Sequence, residues 1–420
     1  MKKGYKHLKC GLIGGRLGHS FSPQIHRELA DYSYELFELT PEEVGDFVRN
    51  SRLDAFNVTI PYKKDVIPFL DHISDEAAAI GAVNTIVTDK EGKKHGYNTD
   101  FFGFSHMIDL SGTDMRNKKT LVIGAGGASA TVCAVLRTRG AELLAVLGSH
   151  DNTPENLARY NDAEVIVNTS PVGMYPKNCV APLSLDDFPK CVCVLDVIAN
   201  PALTALQMDA EEKGIVYVGG LPMLVAQAAQ AFNYFTGDCY KEGCIEKITA
   251  NIYEETMNIV LVGMPGCGKS TVGRLIAEKT GKRFVDADEE FERTFGISPA
   301  ASIETMGEDR FRELEHDTLT ELGKQSGLVI ATGGGAVTRE CNYPVLHQNG
   351  KIFFIERNLE NLAREGRPLS MKTPIEELYS NRIDAYRRFA DATVYSNEIA
   401  EETAQKIVDE FRAQIQKGTI

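Results

Sequence analysis

The chain has 420 residues, 43% hydrophobic and 25% charged, a length beyond which one core stops growing; two or three domains follow, and a largely disordered or collagen-like chain is excluded. The net charge of −14, from 59 acidic against 45 basic residues, repels polyanions over most of the surface and argues against nucleic acid or anionic membrane as partners. No apolar run nears the roughly 18 residues that span a bilayer, and the nine cysteines form no CxxC pair, so the chain reads as a cytoplasmic protein with free thiols, no zinc, small-molecule partners and an open oligomeric state.

Strand-like runs alternate with helical stretches: KCGLIGG from Lys9, YELFEL from Tyr34, AFNVTI from Ala55 and NTIVTD from Asn84, then KTLVIG from Lys119, LLAVLG from Leu143, EVIVNT from Glu164, VCVLDV from Val192 and IVYVGG from Ile215. This rhythm predicts an α/β fold built on parallel sheets. The early segments GLIGGRLGHSFSPQIH, FNVTIPYKKD, GAVNT and GYNTDFFG place hydroxyl and amide side chains beside glycine, a composition suited to a hydroxylated, carboxylated ring. Hydride transfer to a ketone requires a proton donor at the developing alkoxide, and Lys63 is the basic residue that these polar motifs frame. Asp100, just before an apolar helical stretch, reads on its own as an N-cap. His19 and His26 lack an acidic or metal-spaced partner in sequence and read as structural.

GAGGASA follows the strand KTLVIG and opens a helix, the arrangement of a dinucleotide-binding Rossmann unit in which Gly124, Gly126, Gly127 and Ala128 let backbone approach a pyrophosphate. After the next strand the chain reads LGSHDN, which puts Ser149 near the cofactor ribose. Around Asn251 to Thr256 an acid-rich stretch closes a helix, and NIVLVG then opens a new unit without a Gly/Ser tether.

From Gly263 the sequence GMPGCGKS fits GxxxxGK[ST] between an apolar strand and a helix. Gly263, Gly266 and Gly268 form the phosphate turn, Lys269 brings charge to the β- and γ-phosphates, Ser270 ligates Mg2+, and Thr271 follows in the cradle. Cys267 suits the turn by its small size, and its place near a helix dipole also favours a thiolate open to a thiol reagent. Asp286 and Asp288, one residue apart at a strand end, are expected on one face of the pleat, where one can hold magnesium-bound water while the other meets a substrate hydroxyl. Arg312 in GEDRFRELE, the glycines of LVIATGGG, Arg367 in REGRPLS and Arg382 in NRIDAY complete the set.

In their order over Met257 to Ile420, these motifs resemble shikimate kinase. The resemblance implies that Asp288, Arg312, Gly334, Gly335 and Arg382 hold shikimate, that Asp288 is the base, that Arg367 reaches the transferring phosphoryl group and that Arg364 lies by the adenine. Across Lys9 to Gly237, the early segments together with EVIVNTSPVGM, DVIANPALT and GLPMLVAQAAQAF resemble shikimate dehydrogenase. That resemblance implies a Lys63 and Asp100 catalytic pair, Ser20 and Ser22 on the substrate carboxylate, and Thr59, Asn84, Asp100 and Gln227 on the ring hydroxyls. Three positions depart from the family patterns: Ala199 stands where a tyrosine is common, SHDN replaces an Asn-Arg-Thr run of NADP-using members, and Asp384 replaces a proline.

The expectation is a substrate-binding α/β domain over 1–104 with 219–254, a Rossmann domain over 105–218 and a P-loop kinase domain over 255–420. Its implied chemistry is reduction of 3-dehydroshikimate with NADP, NAD being usable, and phosphorylation of shikimate with ATP and Mg2+. A quinate-preferring dehydrogenase half and a non-catalytic ligand sensor built from the same modules stand as alternatives.

Overall fold

Strand β1 (Lys9–Gly14) is buried along all but its first residue because it has a parallel neighbour on each side, β2 (Ser33–Glu38) and β3 (Ala55–Val58). The computed structural model describes residues 4–18, 20–362, 374–396 and 399–418. Its contacts fall into two units: Met1–Gly173, Ala181–Asn200 and Asp209–Thr249 in the first, Met174–Val180, Pro201–Met208 and Ala250–Ile420 in the second.

The first sheet also holds β4 (His72–Ile73), β5 (Thr85–Thr88) and β6 (Lys94–Tyr97), in the order β2-β1-β3-β5-β6-β4. It is mixed rather than parallel, which corrects the sequence expectation: β5 runs antiparallel to both β3 and β6. Between β5 and β6 the reversal is local: Asp89 Oδ1 accepts from the Glu91 and Lys93 amides, a short turn that the run NTIVTD does not reveal by its apolar pattern alone. Val58, Phe56, Val83 and Ile86 pack into the core on one face of this sheet.

The second sheet is wholly parallel, with β7 (Lys119–Ile123), β8 (Glu142–Leu147), β9 (Val165–Asn168), β10 (Cys193–Asp196) and β11 (Val216–Val218) in the order β11-β10-β9-β7-β8. Here β8 and β9 flank β7 on opposite sides. The carboxyl end of β7 is therefore the point where the strand order reverses, and open α/β sheets bind ligands at such a point.

In the second unit β12 (Asn258–Val262), β13 (Arg283–Asp286), β14 (Leu328–Ala331), β15 (Gly350–Glu356) and β16 (Ala392–Tyr395) form a parallel sheet in the order β13-β14-β12-β15-β16. Every residue of β12 is buried, as a central strand covered on both faces demands. With β14 on one side and β15 on the other, its carboxyl end is again a reversal point. The helix Cys244–Thr256 ends two residues before β12 begins. Segments 174–180 and 201–208 pack with the second unit through backbone and amide bonds: Leu203 N donates to Gln348 O at 2.8 Å and Asn178 Nδ2 to Gln348 Oε1 at 2.6 Å.

Candidate active sites

In the first unit Lys63 lies in the turn after β3. Its Nζ donates to Asp100 Oδ2 at 2.7 Å, and the two side chains are only 16% and 12% exposed. Asp100 is the first residue of the helix Asp100–Ser111, where the unpaired N–H groups favour a carboxylate. Thr99 rather than Asp100 occupies the cap position, so the N-cap reading is corrected and the carboxylate is left to the lysine.

Beside this pair lies an amide pocket. Thr99 N donates to Asn84 Oδ1 at 2.7 Å, Thr99 Oγ1 to Gln227 Oε1 at 3.1 Å, and Asn84 Nδ2 to Gln227 Oε1 at 3.4 Å. Asn84 ends the turn that enters β5, and Gln227 lies within the helix Gly220–Thr236. The structure thus joins four expected residues in two contacts, Lys63 with Asp100 and Asn84 with Gln227, and Thr99 links them. Ser20 and Ser22 contact each other, Ser22 N donating to Ser20 Oγ at 3.2 Å. They follow β1, and Thr59 follows β3, the strand paired beside it, so all three reach one sheet edge. His26 is fully buried and 2.6 Å from the Tyr32 hydroxyl, a core histidine. His19 lies outside the described residues.

At the end of β7, Gly124 adopts φ +102°, and a Cβ there would come within 2.6 Å of the Ser170 amide. Side chains at Gly126 and Gly127 would meet no atom within 4 Å, so this side of the turn is open where the helix Gly127–Thr138 begins. Ala128 follows in its first turn. The loop carrying Ser149 folds back toward the same turn: a Cβ on Gly148 would stand 3.6 Å from the Ala125 Cβ. Ser149 and His150 are on the outer side of that loop, and both are exposed.

The second unit encloses a cavity of about 440 Å³ at the carboxyl ends of its strands. Gly263, Gly266 and Gly268 have φ of +151°, +88° and +98°, values that only glycine adopts freely, and they wrap the turn around the start of the helix Lys269–Thr280. Lys269 Nζ donates to the carbonyls of Gly263 and Met264 at 2.8 and 3.2 Å. Ser270 Oγ donates to Asp286 Oδ2 at 2.6 Å, and Thr271 is exposed next to it. Cys267 is fully buried with Sγ 4.0 Å from Lys269 Nζ, which corrects the expectation of a thiol open to reagents: a small side chain fills the space inside the turn.

Asp286 and Asp288 do not share a strand face. β13 ends at Asp286, which caps the helix Ala287–Phe295 by accepting from the Asp288 amide at 3.0 Å, so Asp288 belongs to the first helical turn. Both carboxylates still line the cavity. Asp288 is exposed to the open cavity, yet crowding by the surrounding walls, then the nearby Asp286 and Glu315 carboxylates, push its carboxyl up to about 6 against the opposing pull of Lys269 and Arg312, the neighbouring carboxylates being the cause that its exposure leaves intact.

Arg312 is 5% exposed and held on two sides, Nη1 donating to Glu315 Oε2 at 2.7 Å and Nη2 to Glu308 Oε1 at 3.1 Å. Arg382 Nη1 donates to Gly334 O at 3.1 Å, and Tyr386 shares that carbonyl at 2.5 Å. A Cβ on Gly334 would sit 2.6 Å from Pro265, so the absence of one lets the glycine loop after β14 lie against the phosphate turn. Motif spacing does not mark Thr99, whereas Glu308 and Glu315 are the first and last glutamates of the GEDRFRELE stretch, to which it assigns no role. The i+3 and i−4 offsets of the two glutamates from Arg312 on one helix are the signal that finds them. Arg364 and Arg367 lie outside the described residues.

A dinucleotide turn with a lysine–aspartate pair beside a polar pocket defines an oxidoreductase class, and a phosphate turn facing acid and arginine side chains defines a phosphotransferase class. The family model for the shikimate dehydrogenase substrate binding domain matches residues 12–86, and the shikimate kinase model matches 265–412. Shikimate dehydrogenase (NADP(+)) of Caldanaerobacter subterraneus subsp. tengcongensis is 35% identical over 267 residues, spanning 57% of this chain and 95% of the relative. The structure of a chorismate mutase/shikimate 5-dehydrogenase fusion protein from Clostridium acetobutylicum is similar with a TM-score of 0.55 at 32% identity, covering 59% of this chain and 97% of that one. Shikimate 5-dehydrogenase from Thermus thermophilus, in complex with shikimate, gives 0.52 at 29% identity over 58% and 98%. The chain belongs to the shikimate dehydrogenase family, and a shikimate kinase domain follows the dehydrogenase part on the same chain. No helix among the described residues is long and apolar enough to cross a membrane.

Proposed function

We propose that this chain is a bifunctional shikimate-pathway enzyme which reduces 3-dehydroshikimate to shikimate with NADPH and phosphorylates shikimate at the expense of ATP. The observation that carries the reading is the Lys63–Asp100 ion pair at 2.7 Å beside the Asn84–Gln227 amide pocket, on a chain whose other unit holds its own phosphate turn.

In the dehydrogenase unit, the Gly124, Gly126, Gly127 and Ala128 turn would hold the pyrophosphate of a nicotinamide dinucleotide, which would supply the hydride. Lys63 gives its proton to the oxygen that becomes the new hydroxyl. Asp100 fixes the ammonium in direction and keeps it paired once the site is dry. Ser20 and Ser22 hold the substrate carboxylate, and Thr59, Asn84 and Gln227 bind ring oxygens. Ser149 would donate to the cofactor's 2′-phosphate.

In the kinase unit, Gly263, Gly266, Gly268 and Thr271 frame the ATP phosphates, and Lys269, which now spans two loop carbonyls, has the reach to exchange them for phosphate oxygens. Ser270 and Asp286 bring a hydroxyl and a carboxylate oxygen to 2.6 Å, hard donors of the kind Mg2+ takes, and these two would hold that ion, which would neutralise phosphate charge. Asp288 accepts the proton of the attacking hydroxyl, its raised carboxyl matched to that task. Arg312 and Arg382 clamp the shikimate carboxylate with Gly334 and Gly335 giving backbone room, and Arg367 neutralises the transferring phosphoryl group.

Purified chain given 3-dehydroshikimate, NADPH, ATP and Mg2+ should yield shikimate 3-phosphate. Product that stops at shikimate, or no NADPH oxidation, overturns the corresponding half of the reading.

A further inference from the structure

The polarity of the amide pocket is set from a single backbone group. Thr99 N–H, which can only donate, points at one side-chain atom of Asn84 at 2.7 Å, so that atom is Oδ1. The Asn84 nitrogen is then the atom turned to Gln227 at 3.4 Å, and a donor there requires an acceptor, so the Gln227 atom is Oε1. The Thr99 hydroxyl stands 3.1 Å from the same oxygen, with Thr85 Oγ1 at 3.1 Å and Asn84 Oδ1 at 3.2 Å also around that hydroxyl. Asn84 Oδ1 already takes the Thr99 amide, and Thr85 Oγ1 can donate to that oxygen or to Thr99, so the Thr99 proton is free to go to Gln227 Oε1, and Nε2 is the group left to meet a ligand.

The same sense runs outward through the core. Tyr34 OH donates to Asn57 Oδ1 at 2.8 Å, Asn57 Nδ2 to Thr85 Oγ1 at 3.0 Å, and Thr85 Oγ1 to Asn84 Oδ1 at 3.1 Å. Burial raises the Tyr34 phenol well above its ordinary value, so the proton that starts the chain is retained. The Asn57 amide is fixed in this sense because its nitrogen also meets the Asn84 carbonyl at 3.3 Å, where a flipped oxygen would face another acceptor.

We propose that Thr99 is a positioning residue of the dehydrogenase site, whose amide and hydroxyl together lock Gln227 with its nitrogen toward the substrate. The ligand must then present a hydrogen-bond acceptor, a hydroxyl or carbonyl oxygen, at that point. A methyl or ammonium group there is rejected. The inference rests on the dehydrogenase reading and adds the direction in which Gln227 recognises the ring.

The test uses the full chain and steady-state shikimate oxidation with NADP+. Thr99→Val, which keeps the volume and removes the hydroxyl, should raise the KM for shikimate about tenfold with kcat within about twofold, the size expected from losing one oriented hydrogen bond. Thr99→Ser should return KM to near the wild-type value. Combined with Gln227→Ala, Thr99→Val should add nothing, because it acts through that side chain. An unchanged KM in Thr99→Val, or additive effects in the pair, overturns the proposal. Should Thr99→Val fail to fold, Gln227→Glu decides: it keeps the shape and both inner contacts but has no donor, so its KM should rise as in Gln227→Ala, and a wild-type KM sinks the assignment. Failure of the underlying reading shows differently, as a wild-type chain that oxidises no shikimate, and takes the proposal with it.

Discussion

A methyl group on Gly335 would stand 2.1 Å from Arg312 Nη2, so the glycine and the buried guanidinium occupy adjoining space with no room between them. Gly335→Ala should therefore push the guanidinium away from the cavity without touching the phosphate turn. Charge-assisted bonds of roughly 1.5–3 kcal/mol predict about a tenfold to hundredfold weaker shikimate KM in the kinase reaction. The KM for ATP should hold. Equal weakening of both would assign Arg312 to the phosphates instead.

The two activities should separate cleanly. Lys63→Ala should lower 3-dehydroshikimate reduction on the order of 100- to 10,000-fold, the contribution of a proton donor, and leave phosphorylation intact. Lys269→Ala should do the reverse. Assaying each variant in both reactions checks this, and near wild-type reduction by Lys63→Ala would remove that lysine from the proton-donor role.

His26 gives the dehydrogenase unit an acid sensitivity. The ring is buried against Tyr34 with centroids 3.9 Å apart, and burial holds its pKa down at about 3, from an ordinary 6.5. The unfolded chain takes up the proton first, so this stability is fully present above about pH 6.5 and is lost as pH falls toward 3, at about 1.4 kcal/mol per pH unit. Urea unfolding followed through dehydrogenase activity between pH 6.5 and 5 should show a shallower loss in His26→Phe than in wild type. Parallel slopes would mean that the ring is not held neutral.

The loop at Ser149 offers neutral donors where an arginine fork would meet a 2′-phosphate. Ser149→Arg should raise the ratio of kcat/KM for NADPH over NADH by about tenfold to a hundredfold. An unchanged ratio would show that a different residue reads the phosphate.

Both glycine turns are legible in the sequence because their function demands a fixed spacing of residues adjacent along the chain: strand, small residues, helix. Lys63 and Asp100 are legible as candidates for the same reason, each lying within its own short polar motif. What spacing does not carry is pairing between distant segments. The antiparallel pairing of β5 with β6 depends on a turn built by Asp89, and Asp288 leaves the strand because the Asp286 side chain caps a helix at that point. Thr99 escapes notice because a threonine between two more reactive residues looks like filler until Asn84 and Gln227 are brought to it. Cys267 misleads in the other direction: reactivity depends on access, and the turn closes over it.

The contact of Gly334 with Pro265 has a consequence for distance. In the proposed kinase reaction one loop would face the acceptor and the other the donor phosphates, and a Cβ on Gly334 would stand 2.6 Å from the Pro265 ring, so the two loops meet through backbone and a rigid pyrrolidine rather than through side chains that rotate. The gap that a phosphoryl group must cross is therefore gauged by covalent geometry, in the manner of a spacer block between two jaws. A larger residue in place of Gly334 would reset that gauge and widen the jump, slowing transfer even with every charged group still present.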